Sequence, residues 1–251
     1  MTSKILYIIH NPAWTDCRVA DTLRTRGYTI DHVCPPFGDD LTALDGYAAV
    51  MVGGSEEGHV AEPDDPPWVG REIAFVSDVL ARGIPYLGIC MGCQILAGAC
   101  GGDVGGRADG LCEFGFFPVE PTAEGTSLFR DSRCFYQAHY EGVMTLPAGA
   151  VLLATGENFP VQAFRVGENA YGLQFHPDAK LERLTPDAIA CDSLIGVEGA
   201  QGVDEQIRLA RRHEAAIQRW TEEFVDRWIG PAAGHRSDVQ TRPESTRAAP
   251  A

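Results

Sequence analysis

An open, mostly parallel β-sheet with helices on both faces and antiparallel hairpins appended to it is the fold class this sequence predicts. Short apolar runs at 4–9, 28–33 and 47–52 alternate with a helical pattern at 18–26, as crossover units do. The run Ile84-Pro85-Tyr86-Leu87-Gly88-Ile89 leads into a cysteine held between two glycines, and an apolar helix-like stretch from Met91 to Ala97 follows at once. Between residues 114 and 175, five short strand-like runs succeed one another with turn signals between them.

Residues 4–9 read as the first strand, and Arg18 to Arg26 as a helix that Gly27 stops. Tyr28 to Val33 is the second strand, and Tyr47 to Val52 the third, running straight into Gly53-Gly54-Ser55. The Asp-, Glu- and Pro-rich stretch from Glu56 to Pro67, which contains His59, fits a solvated connection better than a lid or docking loop. Trp68 to Leu80 places Val69, Ile73, Val76 and Leu80 on one helix face, a core pattern. After the helix that starts near Met91, the strand-like runs are Phe114 to Glu120, Arg133 to Ala138, Val151 to Thr155, Val161 to Val166 and Ala170 to Phe175. Pro177 disfavours helix for His176, so Gln174 and His176 should both leave an extended segment. Residues 180–202 are ambiguous, with Thr185-Pro186 able to open a short helix. From Val203 to Ile229 the positions Ile207, Ala210, Ile217, Trp220, Phe224 and Trp228 repeat at helical spacing. That describes an amphipathic helix packed on the domain, with a partner-binding helix as the alternative. Beyond Gly230 the Pro-, Ala-, Ser-, Thr- and Arg-rich composition predicts disorder. The expected organisation is a domain over 1–200, a closing helix over 201–230 and a tail over 231–251.

The 251 residues, 45% of them hydrophobic, can bury a sizeable core. With 35 acidic and 20 basic side chains the net charge is −15, which repels phosphate backbones and anionic membrane surfaces, so neither nucleic acid nor membrane is an expected partner. No run reaches the ~18 apolar residues of a membrane span. The apolar run Ile5 to Ile9 is too short for a signal-peptide core and suits a buried strand. Eight cysteines without an export signal in a chain of this size point to free thiols and a cytoplasmic location.

Cys90 stands where a buried strand ends and a helix begins. A turn there would lift the sulfur out of the sheet and set it by the positive end of a helix dipole, which favours the nucleophilic thiolate. Glycine on either side supplies conformational freedom and leaves room. Two other readings stay open. A free cysteine is often a small buried hydrophobe. Cys90-Met91-Gly92-Cys93 is also a C-x-x-C, although no second ligand pair at zinc spacing exists. Ligand sites of parallel sheets lie beyond the carboxyl ends of the strands, so Gly53-Gly54 and Cys90 can face one crevice.

Taken in order, Gly53-Gly54, then Gly88-Ile89-Cys90-Met91-Gly92-Cys93-Gln94, then Gln174-Phe175-His176-Pro177-Asp178 resemble the class I (triad) glutamine amidotransferases. That family carries G-x-C-x-G-x-Q followed later by F-H-P-E. The segments Glu113 to Val119, His139-Tyr140-Glu141 with Leu146-Pro147, and Gln162-Ala163-Phe164 are similar to its E-x-G-W-x-P-V, H-x-D…L-P and Q-A-F. The nearest subgroup is the stand-alone, GMP-synthase-like type with a flavodoxin-like sheet.

The resemblance implies Cys90 as nucleophile, His176 as general base and acid, and Asp178 in the place of the glutamate that orients the histidine. Gly54 and Met91 would supply the oxyanion N–H groups, and Gly53, Gln94, His139 and Tyr140 would line the substrate site. Neither metal nor cofactor is implied. Asp178 is one methylene shorter than glutamate, so its carboxylate should need a backbone shift to reach the imidazole. His139 fits the pocket wall and the core equally well, and His10, His32, His213 and His235 belong to no motif. Three functions follow. One is a glutaminase that hands ammonia to a separate acceptor or synthetase chain. Another is a γ-glutamyl hydrolase or peptidase acting on other γ-glutamyl compounds. The last is a non-enzymatic regulatory relative. The chain lacks a P-loop and an S-G-G-x-D-S loop, which argues against an ATP-using synthetase in the same chain.

Overall fold

The structure is a computed structural model that describes residues 3–41, 43–56, 60 and 66–230. The acidic connection after Glu56, with His59, and the tail beyond Gly230, with His235, therefore fall largely outside the described residues. The first half runs β1 (Lys4–Ile8), α1 (Arg18–Thr25), β2 (Thr29–Val33), β3 (Tyr47–Val52), α2 (Pro67–Ala81), β4 (Tyr86–Ile89) and α3 (Met91–Ala99). The second half contributes β5 (Asp103–Gly106), β6 (Glu113–Pro118), β7 (Glu120–Pro121), β8 (Cys134–His139), β9 (Glu141–Thr145), β10 (Val151–Thr155), β11 (Ala163–Val166), β12 (Ala170–Leu173), α4 (Pro186–Ala190) and α5 (Val203–Trp228).

The main sheet has the order β2-β1-β3-β4-β12-β11-β10-β7. Its first five strands are mutually parallel, and the last three continue the sheet antiparallel. Period-two alternation sorts each parallel strand between two cores. Ile5, Tyr7, Ala49, Met51, Leu87 and Ile89 face α1 and α5. Leu6, Ile8, Val50, Val52 and Tyr86 face α2 and α3. Both faces are thus covered, as a parallel sheet requires.

The antiparallel strands expected beside the parallel sheet are there: β11, β10 and β7 extend it from β12. The separate two-stranded pieces are β5–β9 and β6–β8. The pair β5–β9 had no sequence signal, because Asp103-Val104-Gly105-Gly106 carries one β-branched residue and two glycines. Its partner lies nearly forty residues away. The ambiguous segment 180–202 holds a single 3₁₀ turn, Leu181–Arg183, and the short α4. Its end bridges back from Ala200 to Phe114.

Helix α5 packs from behind the sheet. Trp220 is 1% exposed and lies against Phe129, Phe135 and Phe175, with ring centroids 5.8, 4.9 and 5.6 Å away. Phe175 also stacks on Phe135 at 4.1 Å. This aromatic block seats the residue that immediately precedes His176. Among the described residues, no helix is long and apolar enough to cross a membrane.

Candidate active site

The carboxyl ends of β1, β3, β4 and β12 lie together, and they bring Gly54, Cys90 and His176 side by side. Cys90 sits between β4 and α3 with φ 52° and ψ −109°, the one positive φ outside glycine among the described residues. Such a conformation costs on the order of 1–3 kcal/mol and persists where the surroundings impose it. Cys90 N donates to Leu173 O at 2.8 Å, and the N–H groups of Cys93 and Gln94 return to Cys90 O.

Of the two reasons expected for the flanking glycines, room applies and freedom of φ does not. Neither Gly88 nor Gly92 has positive φ. A Cβ on Gly88 would lie 2.2 Å from Gly92 O, and one on Gly92 would lie 2.3 Å from Val52 O. The glycines let β4, α3 and β3 touch backbone to backbone, while the cysteine itself carries the strain.

His176 approaches the thiol from beyond β12. Its N–H donates to Tyr136 O at 2.7 Å, which ties the extended segment to β8. Imidazole Nδ1 lies 3.1 Å from Asp178 Oδ1, so the shorter carboxylate does reach the ring. Burial alone would depress the His176 pKa. The Cys90 charge, then the Asp178 charge and hydrogen bonds to both, push it up to about 10.

Arg18 explains how the shorter side chain reaches. At the start of α1, this 5% exposed residue donates from its backbone N to Asp178 O at 2.9 Å. Its guanidinium donates to Pro177 O at 3.1 Å and Ala179 O at 2.6 Å, and to Glu214 and Gln218 on α5. Three successive carbonyls, 177 to 179, are thus drawn toward α1, bringing Asp178 to the ring. Sequence reading placed Arg18 only on a helix, with no hint of this role.

Gly54 completes the wall. A Cβ there would lie 3.1 Å from His176 Cε1 and 3.5 Å from Cys90 Cβ. Gly53 N donates to Ile8 O at 3.0 Å and Gly53 O accepts from Gly92 N at 3.2 Å.

The other expected site residues divide. Gln94 is buried, and its Nε2 donates to Glu141 O at 2.9 Å, with Gln174 Oε1 at 3.5 Å. Gln174 Nε2 lies 3.9 Å from the Cys90 sulfur. Gln94 Nε2 thus ties α3 to the Glu141 end of β9. His139 is 4% exposed, and both its ring nitrogens are engaged: Nδ1 with Glu141 O, Nε2 with Glu113 and Gln137. Gln162 joins Glu113 and Gln137 in the same buried cluster. His139 is thus a buried residue behind the wall, with its Nδ1 on the same Glu141 carbonyl that takes Gln94 Nε2. Tyr140, in contrast, is 45% exposed, two residues from the Ala138 carbonyl on which the thiol rests.

The C-x-x-C reading is not supported. Cys93 is fully buried on the opposite face of the sheet from Cys90, packed in the α2–α3 core. Burial, followed by the charge of Cys90, pushes the Cys93 thiol well up, away from the reactive thiolate form.

Comparison with known proteins gives the family. A model of the glutamine amidotransferase class-I family matches residues 18–192. The GMP synthase [glutamine-hydrolyzing] of Marinomonas sp. is 28% identical over 229 residues, covering 74% of this chain and 41% of that protein. This chain therefore spans less than half the length of that relative. A GMP synthase [glutamine-hydrolyzing] subunit of Sulfolobus acidocaldarius is 33% identical over 138 residues, covering 53% of this chain and 69% of that protein. Among solved structures, a glutamine amidotransferase from Thermotoga maritima matches with TM-score 0.76 and 24% identity, over 91% of this chain and 99% of that one. A glutamine amidotransferase from Methylobacillus flagellatus gives 0.80 and 19%, over 96% and 100%. These two likenesses speak for the fold, an open sheet of flavodoxin-like strand order. The family match spans most of the chain, from α1 past His176 and Asp178, and on it this chain belongs to the class I glutamine amidotransferases.

Proposed function

We propose that the protein hydrolyses the side-chain amide of glutamine through a thioester on Cys90 and supplies the ammonia to a separate acceptor enzyme. One observation carries this reading: a strained cysteine at a strand-to-helix elbow faces an imidazole backed by a carboxylate. In this mechanism the Cys90 thiolate attacks the amide carbon, and the N–H groups of Gly54 and Met91 receive the oxyanion. The His176 imidazolium gives its proton to departing ammonia, then takes one from the water that cleaves the thioester to glutamate. Asp178 holds the ring in the required tautomer. Gly53, Gln94 and Tyr140 contact the substrate, and His139 keeps the wall in place behind them. Residues 1–200 form the amidotransferase unit, with 201–230 as its closing helix. The Sulfolobus protein carries the name of one subunit of its enzyme, which supports an acceptor on a second chain.

Steady-state ammonia release from glutamine, set beside glutamate release from γ-glutamyl peptides, tests the assignment. Slow glutamine hydrolysis that accelerates with a docked synthetase is expected. Fast, saturable peptide cleavage with poor use of glutamine would move the assignment to a γ-glutamyl hydrolase.

Two further results are expected. Asp178→Ala should lower kcat by roughly 10²–10⁴, the range for a residue that only orients the base. Because Arg18 already draws the 177–179 backbone in, Asp178→Glu should crowd the ring and fall below wild type. Arg18→Met, which keeps an apolar stem and none of the bonds, should move toward the Asp178→Ala value. Wild-type turnover in Arg18→Met would show that the segment holds its place without it.

The second result concerns pH. The catalytic proton donor is an imidazolium whose pKa is raised to about 10, so kcat/KM should hold through neutral pH and fall as pH rises through about 10. Asp178→Asn removes one of the charges that raise it, so the alkaline limb should move to lower pH. A limb unmoved by that substitution would separate Asp178 from the titrating group.

A further inference from the structure

One buried polar side chain beside the sulfur has no part in the mechanism above. Gln174 directly follows β12 and is 0% exposed. The peptide that links it to Leu173 is held on both sides. Leu173 O accepts from Cys90 N at 2.8 Å, and Gln174 N donates to Gln162 O at 2.9 Å. The side chain therefore starts next to Cys90 from a fixed backbone. Among the described residues its amide meets two partners: Oε1 lies 3.5 Å from Gln94 Nε2, and Nε2 lies 3.9 Å from the Cys90 sulfur.

The hydrogen bonds themselves tell which end of the amide faces the sulfur. A backbone carbonyl only accepts, so the Gln94 group 2.9 Å from Glu141 O is the NH2. An NH2 only donates, so the Gln174 atom facing it is the oxygen. The Gln174 NH2 is left facing Cys90. A buried N–H needs an acceptor, and here the acceptor is sulfur, at the long separation that so large an atom allows. A neutral thiol accepts weakly, whereas a bond to an ionised group is about twice as strong as one between neutral groups. The amide is thus best satisfied when Cys90 is a thiolate.

The other groups around the sulfur are of both kinds. His176 faces it from beyond β12 with Asp178 behind, and Cys90 itself stands at the N-terminus of α3. The imidazolium and the helix end favour the charged form. The Ala138 carbonyl on β8, 3.9 Å away, can only accept and so suits the protonated thiol. Gln174 adds a donor opposite that carbonyl in effect.

We propose that the Gln174 amide donates a hydrogen bond to the Cys90 thiolate, favouring the ionised sulfur and holding it for attack. The proposal rests on the reading of Cys90 as the nucleophile, and its test does not require glutamine to be the substrate. The rate of Cys90 alkylation by iodoacetamide is followed against pH, by peptide mapping, in wild type, Gln174→Met and Gln174→Leu. Methionine keeps the length of glutamine and leucine does not, and neither can donate.

Losing a donor to the charged form makes ionisation harder. The acid limb of the alkylation rate should therefore move up by about one pH unit in both variants alike. The far-ultraviolet absorbance of the thiolate, taken as the difference from Cys90→Ala, should show the same displacement. Cys93, buried on the other face of the sheet, should stay unmodified and so report an intact core. An unmoved limb in Gln174→Met would overturn the proposal, and a limb displaced in Gln174→Leu alone would assign the effect to packing. Labelling of Cys93 in both variants would make Gln174 a support of the fold, and would overturn it too. A wild-type Cys90 that alkylates no faster than the exposed Cys191 would instead remove the nucleophile reading, and this proposal with it.

Discussion

Cys90→Ala is expected to abolish glutamine hydrolysis while leaving the fold intact. Removing the nucleophile of a triad lowers kcat by on the order of 10⁶, because the remaining groups have nothing to activate. The fold should survive, since Cys90 adds one small side chain to its core and alanine replaces it within the same space. Alanine at φ 52° keeps the backbone strain of the elbow, so stability should change little beyond the loss of the sulfur contacts. The check is glutaminase activity beside urea denaturation of the same preparation. Retained turnover would remove the mechanism, and a collapsed denaturation midpoint would make the activity result uninterpretable. Cys90→Ser, which is close in volume, then serves as the second variant.

The next largest effect should come from a glycine. Gly92→Ala places a methyl 2.3 Å from Val52 O and 2.9 Å from Val52 C and Cβ, and backbone cannot step aside as a side-chain tip can. Overpacking in a core commonly costs about 1–3 kcal/mol, and a clash against the central strand belongs at or above the top of that range. Because the same contact seats α3 under Cys90, activity should fall along with stability. Gly70→Ala is the control. Gly70 lies in α2, is exposed, and has nothing within 4 Å of its would-be Cβ. It should raise stability by roughly 0.5–1 kcal/mol through helix propensity alone. Denaturation midpoints for the two variants decide the matter. Equal behaviour would mean that the approach of β3 to α3 is not what excludes a side chain at Gly92.

Much of this architecture can be read directly from the sequence where local signals and long-range contacts agree. The strand–elbow–helix at Cys90 is legible because a buried apolar run, a cysteine and two glycines all fall within ten residues. The parallel half of the sheet is legible because β1, β3 and β4 are mostly apolar runs, and the helix over 203–228 because its apolar face repeats for seven turns. The reason for the glycines was not legible, since spacing does not distinguish freedom of φ from a need for empty space.

What the sequence hides depends on distance along the chain. Arg18 bonds partners 159 or more residues away, and an arginine at a helix start ordinarily reads as solvated. The reach of Asp178 looked inadequate from side-chain length, but it is set by where Arg18 holds the backbone. His139 shows the reverse: it sits in a recognisable segment, yet both its nitrogens are spent inside the core.

The central claim is that Cys90 forms a covalent bond to the substrate's side-chain carbon. Peptide mapping after incubation with a glutamine-mimicking diazoketone tests it most directly. One adduct per chain on Cys90 is predicted, suppressed by excess glutamine and slowed in His176→Ala, with Cys93, Cys17 and the other thiols unmodified. An adduct on another residue, or an unlabelled Cys90 in a protein that still releases ammonia from glutamine, would contradict it.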